Sequence, residues 1–285
     1  MTKKLIAGRR KIALVGGLVL ALVLMGWVTS AFAITWGELD ADNEYPNVGA
    51  MVVDHPDHGL WQRCSGTLIH PRVFLTAGHC TDGLEEDGIT QVWVNLNRYA
   101  LNEDTLLDVE TIITHPDYLW GGSNPHDVGL LILAEPADVI PAELPSEGFL
   151  DDLKREGVLR PGGPDGAKFT VVGYGGVLDW HGGGPEGSGE PPEITYEDQR
   201  RFGESEYVAL VPAQLHMNQN HLDYNEGTCF GDSGGPAFWE PDEDTRILVG
   251  ITSWGDAMCV VTGFDYRVDI PETLSFIDDV IAGLP

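Results

Sequence analysis

Short apolar runs recur along the chain, broken by glycine, proline and acidic residues. VGAMVV, GTLI, RVFLTA, TQVWVNL, VETIIT, VGLLILA, KFTVVGYGG, YVALV, RILVGIT and GFDYRV each read as a strand. Several are nearly continuous and rich in β-branched residues, as barrel or sandwich strands are. The pattern predicts a helix only at the end. PETLSFIDDVIAGL opens on Pro271, which suits a first helical position. It then puts Leu274, Ile277 and Ile281 on one face, with Asp278 at its edge, so a helix is expected over about 271–282. Between Ala134 and Gly166 the runs give way to an acidic, proline-rich stretch that reads as a linker between two β units. Asp179 to Glu193, DWHGGGPEGSGEPPE, reads as a long loop.

The first 33 residues are a different material. Lys3, Lys4, Arg9, Arg10 and Lys11 make a basic start, residues 12–28 are uncharged and mostly aliphatic, and Ala31-Phe32-Ala33 has the small-x-small pattern of a signal-peptidase site. The uncharged run continues to Gly37, long enough to span a bilayer. An uncleaved anchor is therefore the alternative, and cleavage after Ala33 is the preferred expectation. It predicts a secreted protein, extracellular or periplasmic, with no stable membrane association once residues 1–33 are removed.

Charge sharpens this picture. The net charge is −29, and the five basic residues of the leader bring residues 34–285 to −29 − 5 = −34. Such a surface repels nucleic acid and anionic lipid and favours solubility. Four cysteines, Cys64, Cys80, Cys229 and Cys259, include no C-x-x-C pair. In an exported chain they read as two disulfides, with three pairings open.

The chemistry concentrates in TCFGDSGGPAF, Thr228 to Phe238, where Ser233 sits among glycines. A serine hydroxyl needs a base to become a nucleophile. Gly231 to Gly235 fits G-x-S-x-G, but the elbow of that motif places its histidine after the serine. Here the last histidine is His221, so the base lies upstream. Among nine histidines, His79 in FLTAGHC closes an apolar run beside Cys80. Asp127 in NPHDVGLLIL is an acid at a strand entry, costly there unless paired.

Three segments in the order histidine, aspartate, serine, CSGTLIHPRVFLTAGHC, HDVGLLIL and GTCFGDSGGPAF, resemble the trypsin/chymotrypsin-like serine peptidases, in their secreted bacterial form. The resemblance runs from Ile34 to the terminal helix. It implies an all-β fold of two antiparallel six-stranded barrels, about 34–134 and 166–268, within a 34–285 domain, with the site in the cleft between them. It implies Ser233 as nucleophile, His79 as general base and then acid, and Asp127 as the acid orienting His79. It also implies the backbone N–H groups of Gly231 and Ser233 as the oxyanion hole. The pairings it implies are Cys64–Cys80 and Cys229–Cys259.

In this family the acid before the serine pairs with an N-terminal amine released by a cut before an Ile/Val-x-x-Gly segment. Ile34-Thr35-Trp36-Gly37 resembles that segment and directly follows the A-x-A site, although Thr35 and Trp36 depart from the commoner Val-Gly. Signal cleavage is thus expected to make the amine that pairs with Asp232. The resemblance places Ser253, Trp254 and Gly255 along the substrate backbone. Gly227, with Thr228 beside it, falls at the base of the specificity pocket, and Gly255 and Gly263 line its walls. An open pocket favours an apolar residue before the cut bond. Asp265, two residues past Gly263, is the alternative, a charge at the base that would favour a basic one. No cofactor is expected. The acidic stretch Thr81 to Asp108 offers no defined calcium-ligand spacing. The partners expected are protein or peptide substrates, and the chain is expected to be a monomer. A silent binding protein of the same fold and a membrane-tethered peptidase are the other readings.

Overall fold

The structure, a computed structural model, describes residues 34–162, 165–179, 193–243 and 245–284. The leader and the interior of the Asp179–Glu193 loop lie outside the described residues. Strand β1 is Glu38–Leu39, followed by β2 Val48–His55, β3 Gly59–His70, β4 Val73–Thr76, β5 Val92–Asn95, β6 Leu106–Thr114 and β7 Gly129–Leu133. Strands β2 to β7 close into an antiparallel barrel in the order β2-β3-β4-β7-β6-β5. Strand β7, GLLIL, is buried at every position, which is why it reads as an unbroken apolar run.

Beyond residue 134 come β8 Lys168–Gly173, the hairpin of β9 Gly176–Asp179 and β10 Glu193–Tyr196, and β11 Arg201–Leu210. They are followed by β12 Gln214–Asn218, β13 Pro236–Asp242, β14 Thr245–Gly255 and β15 Thr262–Arg267. The order β11-β12-β15-β14-β13-β8 closes through β8–β11 pairing, so this too is a six-stranded barrel, with β1 paired to the start of β11 on the edge opposite β8. The interior holds Phe169, Val171, Leu215, Met217 and Ala237. A second cluster runs between the barrels, joining Phe74, Leu75 and Leu131 to Phe238, Tyr266 and Ile277.

The expectation of helix only at the end is corrected. A single turn, α1, spans Gly78–Thr81, and α2 spans Phe149–Arg155 inside the stretch read as a linker. The terminal helix, α3, covers Pro271–Ala282. Helix α2 owes its place to distant groups. Leu150 is fully buried, its N–H donates to Asp269 Oδ2 (2.8 Å), and Asp151 pairs with Arg267 (2.6 Å). A short acidic segment carries no sign of such a cap in its own sequence. Strand β13 begins at Pro236, where a missing N–H is tolerated. No helix among the described residues is long and apolar enough to cross a membrane.

Candidate active site

Strand β4 delivers the chain to α1, and α1 presents His79. The turn sits close against its surroundings: a Cβ on Gly78 would lie 2.9 Å from the Tyr118 ring and 3.0 Å from the Val128 nitrogen. A disulfide from Cys64 on β3 to Cys80 fixes the turn from the other side. Asp127 enters β7 directly after His126, which has φ +48°. Its carboxylate accepts from the His79 backbone N–H (2.8 Å) and faces His79 Nδ1 at 3.0 and 3.2 Å. Ser253 Oγ donates to Oδ2, the oxygen nearer the imidazole, at 2.5 Å. Burial pushes the Asp127 carboxyl up, but the hydrogen bonds and charge of His79 and the Ser253 bond outweigh it and hold the group below its ordinary value. Asp127 is therefore an anion throughout the neutral range, and it fixes both the ring plane and the tautomer of His79.

Ser233 stands across the cleft on the glycine turn. Its hydroxyl makes no hydrogen bond to His79, but both side chains line one cavity of about 680 Å³. The backbone around the serine is set by outward-facing carbonyls. Phe230 O accepts from Gly176 N (2.8 Å) and Asp232 O from Gly235 N (2.8 Å). In a trans peptide the N–H points away from the carbonyl, so the Gly231 and Ser233 N–H groups face the opposite way. Neither has an acceptor among the described residues. Gly231 has φ +96° and Gly234 +82°, and a Cβ on Gly234 would strike Thr76 Oγ1 at 2.0 Å. Glycine is required here both for conformation and for space.

Asp232 is fully buried beneath this turn. Its oxygens accept from Gly175 N (2.7 Å) and Cys229 N (2.8 Å), and no cation among the described residues pairs with it. Burial pushes its carboxyl up to about 7, against those two hydrogen bonds. Ile34 is fully buried in the interior of the second barrel, and Thr35 and Gly227 exchange backbone hydrogen bonds (2.7 and 3.1 Å).

The cavity wall is built by Thr228, Cys229, Thr252, Ser253, Trp254 and Gly255. The second disulfide, Cys229–Cys259, joins two of its sides. Gly227 and Gly263 do not open into the cavity as anticipated. Gln219 fills the space between them, approaching the Cβ positions of the two glycines to 2.7 and 2.3 Å. In the amide orientation that satisfies both its ends, Gln219 accepts from Thr228 N (3.0 Å) and Oγ1 (2.8 Å) and donates to Thr262 O (3.3 Å). The placement of Asp265 as a cavity charge is also corrected. It lies opposite Thr252 on the neighbouring strand, off the cavity wall and fully buried, and burial pushes its carboxyl up to about 8. Asp256 does line the cavity, but its carboxylate accepts from the N–H groups of Met258, Val260, Val261 and Thr262, so it organises its own loop.

Sequence reasoning did not find Gln219, the grip of Ser253 on Asp127, or Trp120, whose ring sits edge-on to His79 with centroids 5.7 Å apart. These roles come from contacts across the fold, and no local motif marks them. Among the described residues one cluster brings metal-ligating types together, Cys64, His79 and Cys80, and the disulfide occupies both sulfurs.

Two closed antiparallel barrels carry a carboxylate-held imidazole and a glycine-set serine on one cavity, and comparison with known proteins places this arrangement among the serine endopeptidases. A family model described as Trypsin matches residues 34–276, and the chain belongs to that family. It is similar to a trypsin-like protease of Streptomyces glaucescens (28% identical, covering 89% of this chain and 85% of that protein). It is also similar to mouse tryptase (30%, covering 68% and 69%) and to mouse vitamin K-dependent protein C (27%, covering 76% and 46%). The chain thus spans about half the length of protein C.

Proposed function

We propose that the chain is an exported peptidase that cuts protein or peptide substrates through an acyl-enzyme on Ser233. His79 takes the proton of the serine hydroxyl and returns it to the leaving amine. Asp127 holds the His79 tautomer and stabilises the imidazolium. The N–H groups of Gly231 and Ser233 stabilise the oxyanion, each worth about 3–4 kcal/mol in the transition state. The observation that carries this reading is the 3.0 Å contact of His79 Nδ1 with an Asp127 that Ser253 also grips, in the same cavity as Ser233. A silent binding protein has no use for that charge-tuned pair. The test is a fluorophosphonate probe with the labelled peptide mapped. Label on Ser233, lost in Ser233→Ala and His79→Ala, supports the reading, and an unlabelled chain defeats it.

Activation is assigned to the cut after Ala33. Two observations support it. Asp232 is a buried acid with no cation beside it among the described residues, and an α-amine at Ile34 would supply one. Ile34 has φ +43°, a left-handed value that strains a β-branched residue. That torsion is defined by the preceding carbonyl carbon, so a cut before Ile34 abolishes the strain. A mature N-terminus other than Ile34 on a fully active enzyme would refute this.

The cavity is assigned to an apolar or aromatic residue before the cut bond. Gln219 leaves Gly227 no room for a counter-ion, and the two acids on the wall are saturated by their own hydrogen bonds. Peptides differing only at that residue test it. A preference for Arg or Lys over Phe or Leu would overturn it.

A further inference from the structure

Residues 34–37 form a tight turn in which Gly37 N–H donates to Ile34 O (2.5 Å). Its third residue is Trp36, with φ +74°. A positive φ at that place in a turn is the province of glycine or asparagine, and a bulky residue there is a true outlier. An indole held in such a conformation needs a compensating contact, and one is present. The Trp36 ring lies flat on the His221 imidazole, with centroids 4.1 Å apart and planes within 15°.

His221 opens the short turn His221–Asp223, which lies between Gln219 and Gly227. That turn is itself capped, with Asn220 Oδ1 accepting from Leu222 N (3.1 Å). On one side of it Gln219 packs beneath Gly227 and bonds Thr228, which lines the cavity. On the other side Gly227 is bonded to Thr35. The ring stack therefore closes a loop that runs from Trp36 to His221, two residues along the chain to Gln219, and by contact on to Thr228 and Gly227, which is bonded to Thr35. We propose that the Trp36–His221 stack is a latch that docks the turn 34–37 onto the segment walling the substrate cavity. Trp36 and His221 are then positioning residues for substrate, a role that rests on the proposed peptidase activity. The latch explains why a tryptophan occupies a position whose backbone asks for glycine.

The experiment uses enzyme with Ile34 confirmed as its N-terminus, in the forms Trp36→Ala, Trp36→Gly, His221→Ala and Trp36→Ala/His221→Ala. Kinetics on an apolar peptide substrate are read beside hydrogen exchange of the peptides spanning 34–39 and 222–229. The stack alone is expected to shift docking about three- to tenfold. Trp36→Ala and His221→Ala should each raise KM by about that factor, and the double variant should match the single ones. Trp36→Gly should recover part of the loss, because glycine removes the conformational strain. Exchange at the Thr35 and Gly227 amides should quicken in parallel. Additive losses, or unchanged KM and exchange in both single variants, would overturn the latch. Exchange separates the two readings. If the wild-type chain is not labelled at Ser233 but His221→Ala still loses protection at Gly227, the peptidase reading fails while the docking stands.

Discussion

Asp127 shows how several weak signals resolve into one role. An acid before an apolar strand is costly to bury, and the structure offsets that cost with hydrogen bonds from His79 and Ser253. Replacing Ser253 with alanine removes one charge-assisted bond, and kcat is expected to fall about ten- to a hundredfold with little change in KM. Asp127→Asn is expected to lower kcat by roughly four orders of magnitude, because the amide stabilises the wrong tautomer. Asp232 leads to a pH prediction. Its folded value, about 7, lies above its ordinary 3.8. Between those values the folded chain holds a proton that the unfolded chain has released, so stability falls as pH rises through this window. With the leader attached, Tm should drop from about pH 4 to about pH 7, and Asp232→Asn should flatten part of the slope. Asp265, raised to about 8, contributes a slope of the same sign, which Asp265→Asn removes separately. After the cut, an ion pair with Ile34 would cancel the Asp232 share. A slope unchanged by cleavage would argue against that pair.

At the scale of elements, what could be read from the sequence depended on whether the determinants were local. The strands of the first barrel announced themselves through apolar runs such as GLLIL, and the segments carrying His79, Asp127 and Ser233 are compact enough to be found by eye. Helix α2 was hidden, because it is held by Asp269 and Arg267 more than a hundred residues away. Strand β12, QLHMN, was hidden because its outward face is polar. Gly227 and Gly263 looked like openings in a pocket wall, since a sequence cannot show that Gln219 fills the space between them. The Cys64–Cys80 bridge ties β3 to the single turn that holds His79, and the two cysteines are 16 residues apart. A four-residue helix does not persist on its own. The double serine variant is expected to lose about 3 kcal/mol of stability. Its surviving folded fraction should show a larger fall in kcat than rise in KM, as active-site titration followed by steady-state kinetics will show. A loss of stability with kcat per titrated site intact would mean that β4 and Asp127 position His79 without the bridge.

The whole molecule is dominated by its negative charge, and some of its few cations are withdrawn from the surface. Arg200, Arg201 and Arg267 are buried. Arg200 pairs with Asp40 at 2.7 Å and reaches the carbonyl of Val48, tying the segment after β1 to the first barrel. Arg267 is clamped by Asp269 and Asp151. Buried acids, Asp40, Asp127, Glu206, Asp232, Asp265 and Asp269, accompany these arginines, so the net negative charge remains on the exposed surface. Self-repulsion of that surface favours expansion, and salt screens it, with a Debye length of about 10 Å at 0.1 M. Salt also weakens exposed ion pairs such as Arg155–Asp152, but those contribute little. The buried pairs are insulated from it. The balance therefore favours the folded state, and Tm at neutral pH is expected to rise by several degrees between about 0.02 M and about 1 M NaCl. Neutral osmolytes of matched osmolality separate charge screening from general exclusion effects. If Tm fell with salt, the exposed ion pairs would outweigh the repulsion, and the acidic coat would have to be explained by something other than tolerance of its own charge.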